Sequence, residues 1–275
     1  MRRRSRVIPP EAKTGADLPD DAFRRELRRR SRRGFAGALA SVAAGAAGFQ
    51  WFMNSPKEGR LNRAMRRALG WHERVGLATF RPDRLAREFP ASSARMPIVN
   101  GLIGLFGPMP DWKLRVTGAA GKAREFTMAE LRALDLPRVE TTTELECVEG
   151  WTTVVRWSGV RLLDFAAKTG LASRTGRLGD PLAQPGDLLS YASLATPDNA
   201  YYVGLDMPSA LHPQTLLCDA MNGQPLLPDH GAPLRLSIPV KYGFKSLKQL
   251  GSLHFTDVRP ADFWAEQGYD WFAGL

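Results

Sequence analysis

The chain has 275 residues, of which 44% are hydrophobic and 24% charged. That length and balance exclude a disulfide-stapled miniprotein, a wholly disordered chain and a multi-span membrane protein, and leave one large folded domain or two small ones. The net charge of +10 is unevenly spread: residues 1–33 carry 12 basic and 5 acidic side chains, an excess of +7, and the remainder holds only +3. Such a tail argues against a nucleic-acid-binding body, whose positive stripe would lie on the fold itself. Two cysteines, Cys147 and Cys218, are too few for a disulfide framework or a four-thiolate zinc site.

Arginines crowd residues 24–33, and an uncharged stretch then runs from Gly34 to Met53. Basic followed by apolar is the layout of an export signal. Ser31-Arg32-Arg33-Gly34-Phe35 resembles the twin-arginine motif, and 11 of the 20 residues from Gly34 to Met53 are Ala or Gly, a weak hydrophobicity that suits that export machinery. A solvated basic tail is the bland alternative. Twenty uncharged residues as a helix reach about 30 Å, enough to cross a bilayer. Phe49, Trp51 and Phe52 are candidate interfacial anchors, and Ala44-Gly45-Ala46 is a candidate cleavage site. A cleaved signal and a retained anchor both stay open. Either way the arginines hold the N-terminus in the cytoplasm and place the body across the membrane, in the periplasm or exported.

Residues 54–97 form a connecting segment in which Leu61, Met65 and Leu69 have the spacing of one amphipathic helix, lying over the body or over the membrane surface. From Trp112 the pattern turns to short β-rich runs, at 112–116 and 152–157, punctuated by Gly and Pro. Thr127 and Glu130 form a capping box for a helix near 128–134, and a second helix opens at Leu162 and ends by Gly170. Further strands are predicted at 188–195, 234–238 and 253–258. With no βαβ alternation, internal repeat, GxGxxG or Walker-type loop, the body reads as a mixed, sheet-rich α+β domain over 98–275, after the tail and signal or anchor at 1–53.

Cys147 stands after a probable strand, beside a Gly150-Trp151 turn. A thiolate there suits a soft or high-valent metal, or nucleophilic attack; the ordinary alternative is an inert core thiol. Glu144, Glu146 and Glu149 would raise its pKa if close and unpaired, which argues against an unassisted nucleophile. A second cluster runs from Asp229-His230-Gly231 through Arg235, Lys241, Lys245, Ser246 and Lys248, with cations, a hydroxyl and Gly or Pro turns suited to a phosphate-bearing organic ligand. A solvated basic face is its alternative. His72, His212 and His254 lack metal-ligand spacing, and Cys218 reads as core.

Five segments, 146–151, 211–216, 223–228, 230–235 and 239–245, together resemble the molybdopterin-binding domain of the sulfite oxidase family, in the branch of exported bacterial molybdenum reductases that includes the periplasmic methionine-sulfoxide reductases. That resemblance covers about residues 98–275. It implies a molybdopterin cofactor whose molybdenum takes Cys147 as its protein ligand. It also implies that His230 and Arg235 hold the pterin, that Ser246 and Lys248, with Lys245 beside them, hold its phosphate, and that Asn100 and Thr196 make further contacts.

The activity implied is oxygen-atom transfer on a small oxo donor or acceptor of sulfoxide, N-oxide or sulfite type. The acidic residues beside Cys147 disfavour sulfite. With Leu275 read as the end, no haem or dimerisation domain follows, so electrons are expected from a separate partner such as a membrane haem subunit or a cytochrome. Two other classes compete: a cofactor-free binding or assembly protein that keeps the fold, and a thiol redox enzyme resolved by Cys218.

Overall fold

A computed structural model describes residues 20–99, 109–119 and 122–275. The chain divides into two compact units, one ending at Pro56 and one spanning Lys57–Leu275. The described part of the first unit is dominated by helix α1, Asp20–Met53. Within it Ser31–Met53 is long and apolar enough to cross a membrane, and none of that stretch is buried in protein. Its Ala content favours helix, and Phe35, Leu39, Val42 and Phe49 are exposed along it.

The second unit opens with a two-residue hairpin, β1 (Lys57–Glu58) and β2 (Leu61–Asn62), then helix α2, Arg63–Thr79. There follow β3 (Leu114–Thr117), β4 (Ala123–Phe126), α3 (Met128–Ala133), β5 (Arg138–Glu146), β6 (Thr152–Arg161) and α4 (Leu162–Thr169). The chain continues through β7 (Tyr191–Ala195), β8 (Tyr202–Asp206), α5 (Met207–Ala210), β9 (Leu216–Met221) and β10 (Gln224–Pro225). It closes with β11 (Arg235–Ser237), β12 (Ser252–Thr256) and α6 (Phe263–Glu266).

Two larger sheets result among the described residues. One has the order β10-β9-β6-β5 with β11 also on β9, and the other the order β4-β3-β12-β7-β8. Every pairing is antiparallel except β12 with β3. The sequence-level α+β expectation is therefore met, with strand ends shifted by a few residues.

Local signals did set the helix ends. Thr127 and Glu130 form the reciprocal capping box of α3, and Gly170 ends α4 in the left-handed region at φ 67°. The main core joins Leu114, Phe126, Phe165, Leu194, Leu236 and Phe255 with their neighbours, and a smaller one gathers Trp157, Leu216 and Cys218. Cys218 is fully buried, as its apolar neighbours predicted.

Helix α2 has no buried residue of its own, yet it is fastened to the body. Asn62 caps it, Arg66 donates to the Ala265 carbonyl at 3.3 Å, and Glu73 pairs with Arg259 at 2.6 Å. A side chain at Gly76 would meet the Phe272 ring, since a Cβ built there lies 2.4 Å from it. Gly76→Leu is therefore expected to destabilise the body by about 1–3 kcal/mol through overpacking, read as a lower denaturation midpoint.

Candidate active site

Strand β5 pairs with β6 from Arg138↔Val160 to Glu146↔Thr152, which places Cys147 as the first residue of the connecting loop. The loop is closed by two backbone bonds: the Cys147 N–H donates to the Trp151 carbonyl at 2.9 Å, and the Gly150 N–H to the Cys147 carbonyl at 3.0 Å. Gly150 sits at φ 88°, which a side chain would strain. Glu149 is held by the Trp151 indole N–H at 3.0 Å and accepts a weak bond from Cys147 Sγ at 3.6 Å. Partial burial pushes the Cys147 thiol up, and the Glu149 carboxylate adds to that. Without a metal this sulfur is a poor nucleophile. Cys218 cannot serve as a resolving thiol, because burial raises it to about 12 and leaves it inaccessible.

The second part of the site is a knot between two turns. Gly231 ends a short 3-10 turn that carries His230, and at φ 97° it lets that turn press on the backbone of Lys248 and Gln249. A Cβ there would lie 2.6 Å from the Gln249 nitrogen and 2.8 Å from the Lys248 Cα. Arg235, on β11, ties the turns together: Nη1 donates to the His230 carbonyl at 2.9 Å and Nη2 to the Ser246 carbonyl at 3.1 Å. Its guanidinium lies over the Trp157 ring, 4.4 Å from the centroid. Burial brings Arg235 down to about 10, so it remains cationic at neutral pH. Its hydrogen-bond acceptors are carbonyls, and it has no carboxylate partner among the described residues.

These parts meet in one cleft of about 260 Å³, whose walls include Cys147, His230, Arg235, Ser246 and Lys248. Five sequence-predicted residues from three chain segments are thus brought together. Thr196 is buried below the cleft, where its hydroxyl accepts from the Tyr201 N–H at 3.1 Å and donates to Asp198 at 2.7 Å. It shapes the turn before Tyr201, which does line the cleft. Lys245 is fully buried, donating to Asp262 at 2.5 Å and to the Gly204 carbonyl at 2.8 Å. Lys241 likewise turns inward, 3.6 Å from Asp206. Asn100 lies outside the described residues.

Sequence reasoning missed Tyr201, Trp264 and Tyr269 as cleft residues. The dense aromatics after Phe263 were the available signal. The Tyr201 hydroxyl, kept protonated by burial, donates to the Phe244 carbonyl at 2.5 Å and so fixes that part of the cleft wall.

Two buried polar atoms in the cleft, His230 Nδ1 and Lys248 Nζ, have no hydrogen-bond partner among the described residues. Buried polar atoms of this kind call for a hydrogen-bonding partner. Around them stand Arg235, Lys248 and His230, whose imidazole is pushed down by burial and by the two flanking cations, so the local field calls for an anion. No cluster of three or more His, Cys, Asp or Glu able to hold a metal occurs among the described residues. A metal at Cys147 would need its other donors from an organic group. A pterin dithiolene bearing a phosphate meets both demands, with the thiolate at one part of the cleft and the cations at another.

A family model for the oxidoreductase molybdopterin-binding domain matches residues 106–264, more than half of the chain. The chain belongs to the molybdopterin-binding oxidoreductases. Its cofactor is molybdopterin. Among relatives, the chain is 33% identical over 201 residues to a protein-methionine-sulfoxide reductase subunit, YedZ1, of Azospira oryzae, covering 71% of this chain and 70% of that one. It is 36% identical over 161 residues to the catalytic subunit MsrP of Xanthomonas campestris, covering 57% of this chain and 48% of that one. It is 35% identical over 173 residues to the MsrP of Campylobacter jejuni, covering 60% of this chain and 57% of that one. The chain therefore spans about half the length of the catalytic subunits it matches. A solved structure, the sulfane dehydrogenase SoxCD of Paracoccus pantotrophus, gives a TM-score of 0.45 at 20% identity over 57% of this chain and 41% of that one.

The cationic part of the cleft has a pH signature. Burial, then repulsion from Arg235, brings Lys248 down to about 8. Below that pH the ammonium is charged and attracts phosphate; above it the group is neutral and the attraction falls. Affinity of the cofactor-free protein for inorganic phosphate is expected to decline as pH rises through about 8. Near that pH, binding takes up protons, seen as a buffer-dependent heat in calorimetry.

Proposed function

We propose that the chain reduces a sulfoxide of the methionine-sulfoxide type by oxygen-atom transfer, receiving electrons from a separate redox protein. Overall, the sulfoxide, two protons and two electrons give a thioether and water. When bound, the cofactor supplies a metal that exchanges one oxygen and two electrons. Cys147 would be its protein ligand, with His230, Arg235, Ser246 and Lys248 on the pterin and its phosphate. In this reading Thr196 and Lys245 are positioning residues, one behind Tyr201 and the other beneath Phe244.

The observation that carries the substrate class is how the cleft's chemistry divides. Its cations lie on the Arg235 and Lys248 segments, whereas the lining near Cys147 is Val148, Glu149 and Trp151, with Phe244, Trp264 and Tyr269 also on the wall. That surface suits a neutral sulfoxide with an alkyl chain, and Glu149 opposes a sulfite dianion. The test is turnover by the molybdenum-loaded protein with a reduced viologen dye: methionine sulfoxide, free or in a peptide, is consumed. Sulfite oxidation without sulfoxide reduction would overturn the reading.

Export by the twin-arginine machinery into the periplasm, with Ser31–Met53 retained as an anchor, completes the proposal. Ser31-Arg32-Arg33 opens the one described helix stretch that is long and apolar enough to span. Arg32→Lys with Arg33→Lys is expected to hold the protein in the cytoplasm, measured by fractionation; unchanged export would refute that route. The electron donor is then a membrane haem subunit or a periplasmic cytochrome.

A further inference from the structure

We propose that the outer face of α2 lies on an anionic lipid surface and seats the catalytic body against the membrane. The helix carries three faces, not two. One, formed by Arg66, Glu73 and Gly76, is spent on the body through Ala265, Arg259 and Phe272. The second is an exposed apolar stripe, Met65, Ala68, Trp71 and Val75, at the i, i+3, i+6, i+10 spacing of one helix face, broken only by His72, which reaches back to Asp270. Met65, Trp71 and Val75 are 44%, 62% and 38% exposed, a large apolar area for a helix that already has its partner.

The third face is cationic. Arg67 and Arg74 project beside the apolar stripe, and Lys57 and Arg60 lie in the hairpin just before the helix; all four are exposed and make no ion pair among the described residues. Arg63, on the same side, is paired with Glu58 at 2.9 Å. An apolar stripe holding a Trp, flanked by unpaired basic residues, is the makeup of a helix lying in a lipid interface. A soluble protein partner would more naturally be met by both signs of charge.

The occupant is also argued by the covalent chain. Only nine residues, Asn54–Asn62, separate the end of the span-length stretch from α2, so α2 stays within a few tens of ångströms of any membrane that stretch enters. The inference rests to that extent on the anchor reading. His72 adds a consequence, since it bonds Asp270 at 2.8 Å, and both line a second hollow whose wall includes Cys147. Seating α2 therefore brings the neighbourhood of Cys147 toward the lipid surface.

The test uses the full, cofactor-loaded chain reconstituted in vesicles, with a nitroxide on Ala68→Cys and a reference nitroxide on Leu178→Cys. The unsubstituted chain, labelled alike, is subtracted as background. With vesicles rich in phosphatidylglycerol, accessibility to oxygen relative to a water-soluble nickel chelate is expected to be several-fold higher at position 68 than at 178. That ratio should fall toward the reference value in Arg60→Gln/Arg67→Gln/Arg74→Gln. Flotation of the chain with a water-exposed label at 68 would overturn the α2 contact and leave the anchor standing. Shielding from both reagents in detergent without lipid would mean a protein partner covers the stripe, and would overturn it too. Failure to float at all would remove both readings.

Discussion

Replacing Cys147, the proposed metal ligand, by serine is expected to lower sulfoxide turnover by more than about 100-fold while leaving the body folded, because loss of a metal's direct ligand exceeds the 10–100-fold typical of its outer partners. A serine hydroxyl is a harder, less easily deprotonated donor than a thiol, and Glu149 beside it disfavours a second anion. The visible absorption that arises from a thiolate on the metal should vanish in the same sample. Stability should change little, since Cys147 is only partly buried and the loop is held by backbone bonds at 2.9 and 3.0 Å that serine keeps. Turnover and absorption both retained would show that another residue supplies the ligand.

The largest expected effect on stability lies at Asp262. Its carboxylate and the Lys245 ammonium are 2.5 Å apart and both fully buried. Burial pushes Lys245 down, and Asp262 is the main group opposing that. The same carboxylate accepts from the Gly204 N–H at 3.1 Å and caps α6 through the Ala265 N–H at 3.0 Å. Asp262→Ala thus strands a buried cation and two backbone donors. Breaking such a pair typically removes about 3–5 kcal/mol, so a fall in Tm of roughly 6–20 °C is expected. Asp262→Leu combined with Lys245→Met should recover much of it, since no charge is then left unpaired. A cleft role for the Lys245 ammonium would instead show as unchanged stability with weakened cofactor retention.

That contrast marks where local sequence stops determining the direction of a side chain. Arg235, Lys241, Lys245 and Lys248 are equivalent in composition, and a basic ligand site was a fair reading of all four. In the fold Arg235 and Lys248 reach the cleft, while Lys241 and Lys245 turn inward to Asp206 and Asp262. The direction of each side chain depends on which distant acid the fold brings near, and neither Asp206 nor Asp262 has a local pattern that announces it. Tyr201, Trp264 and Tyr269 escaped for the same reason, being drawn to Cys147 from segments more than fifty residues away.

What the sequence determined by itself was everything governed by short range. The span-length stretch that opens with the paired arginines, the capping box at Thr127, the glycine stop at Gly170 and the hydrophobic run that buries Cys218 all follow from periodicity, capping and composition within one element. Tertiary structure alone decided that the 230 and 248 turns interlock through Gly231, that Arg235 stands without an acidic partner among the described residues, and that α2 keeps an apolar stripe exposed after docking. Burial and pairing are properties of residues far apart along the chain, and only the packed fold sets which of them meet.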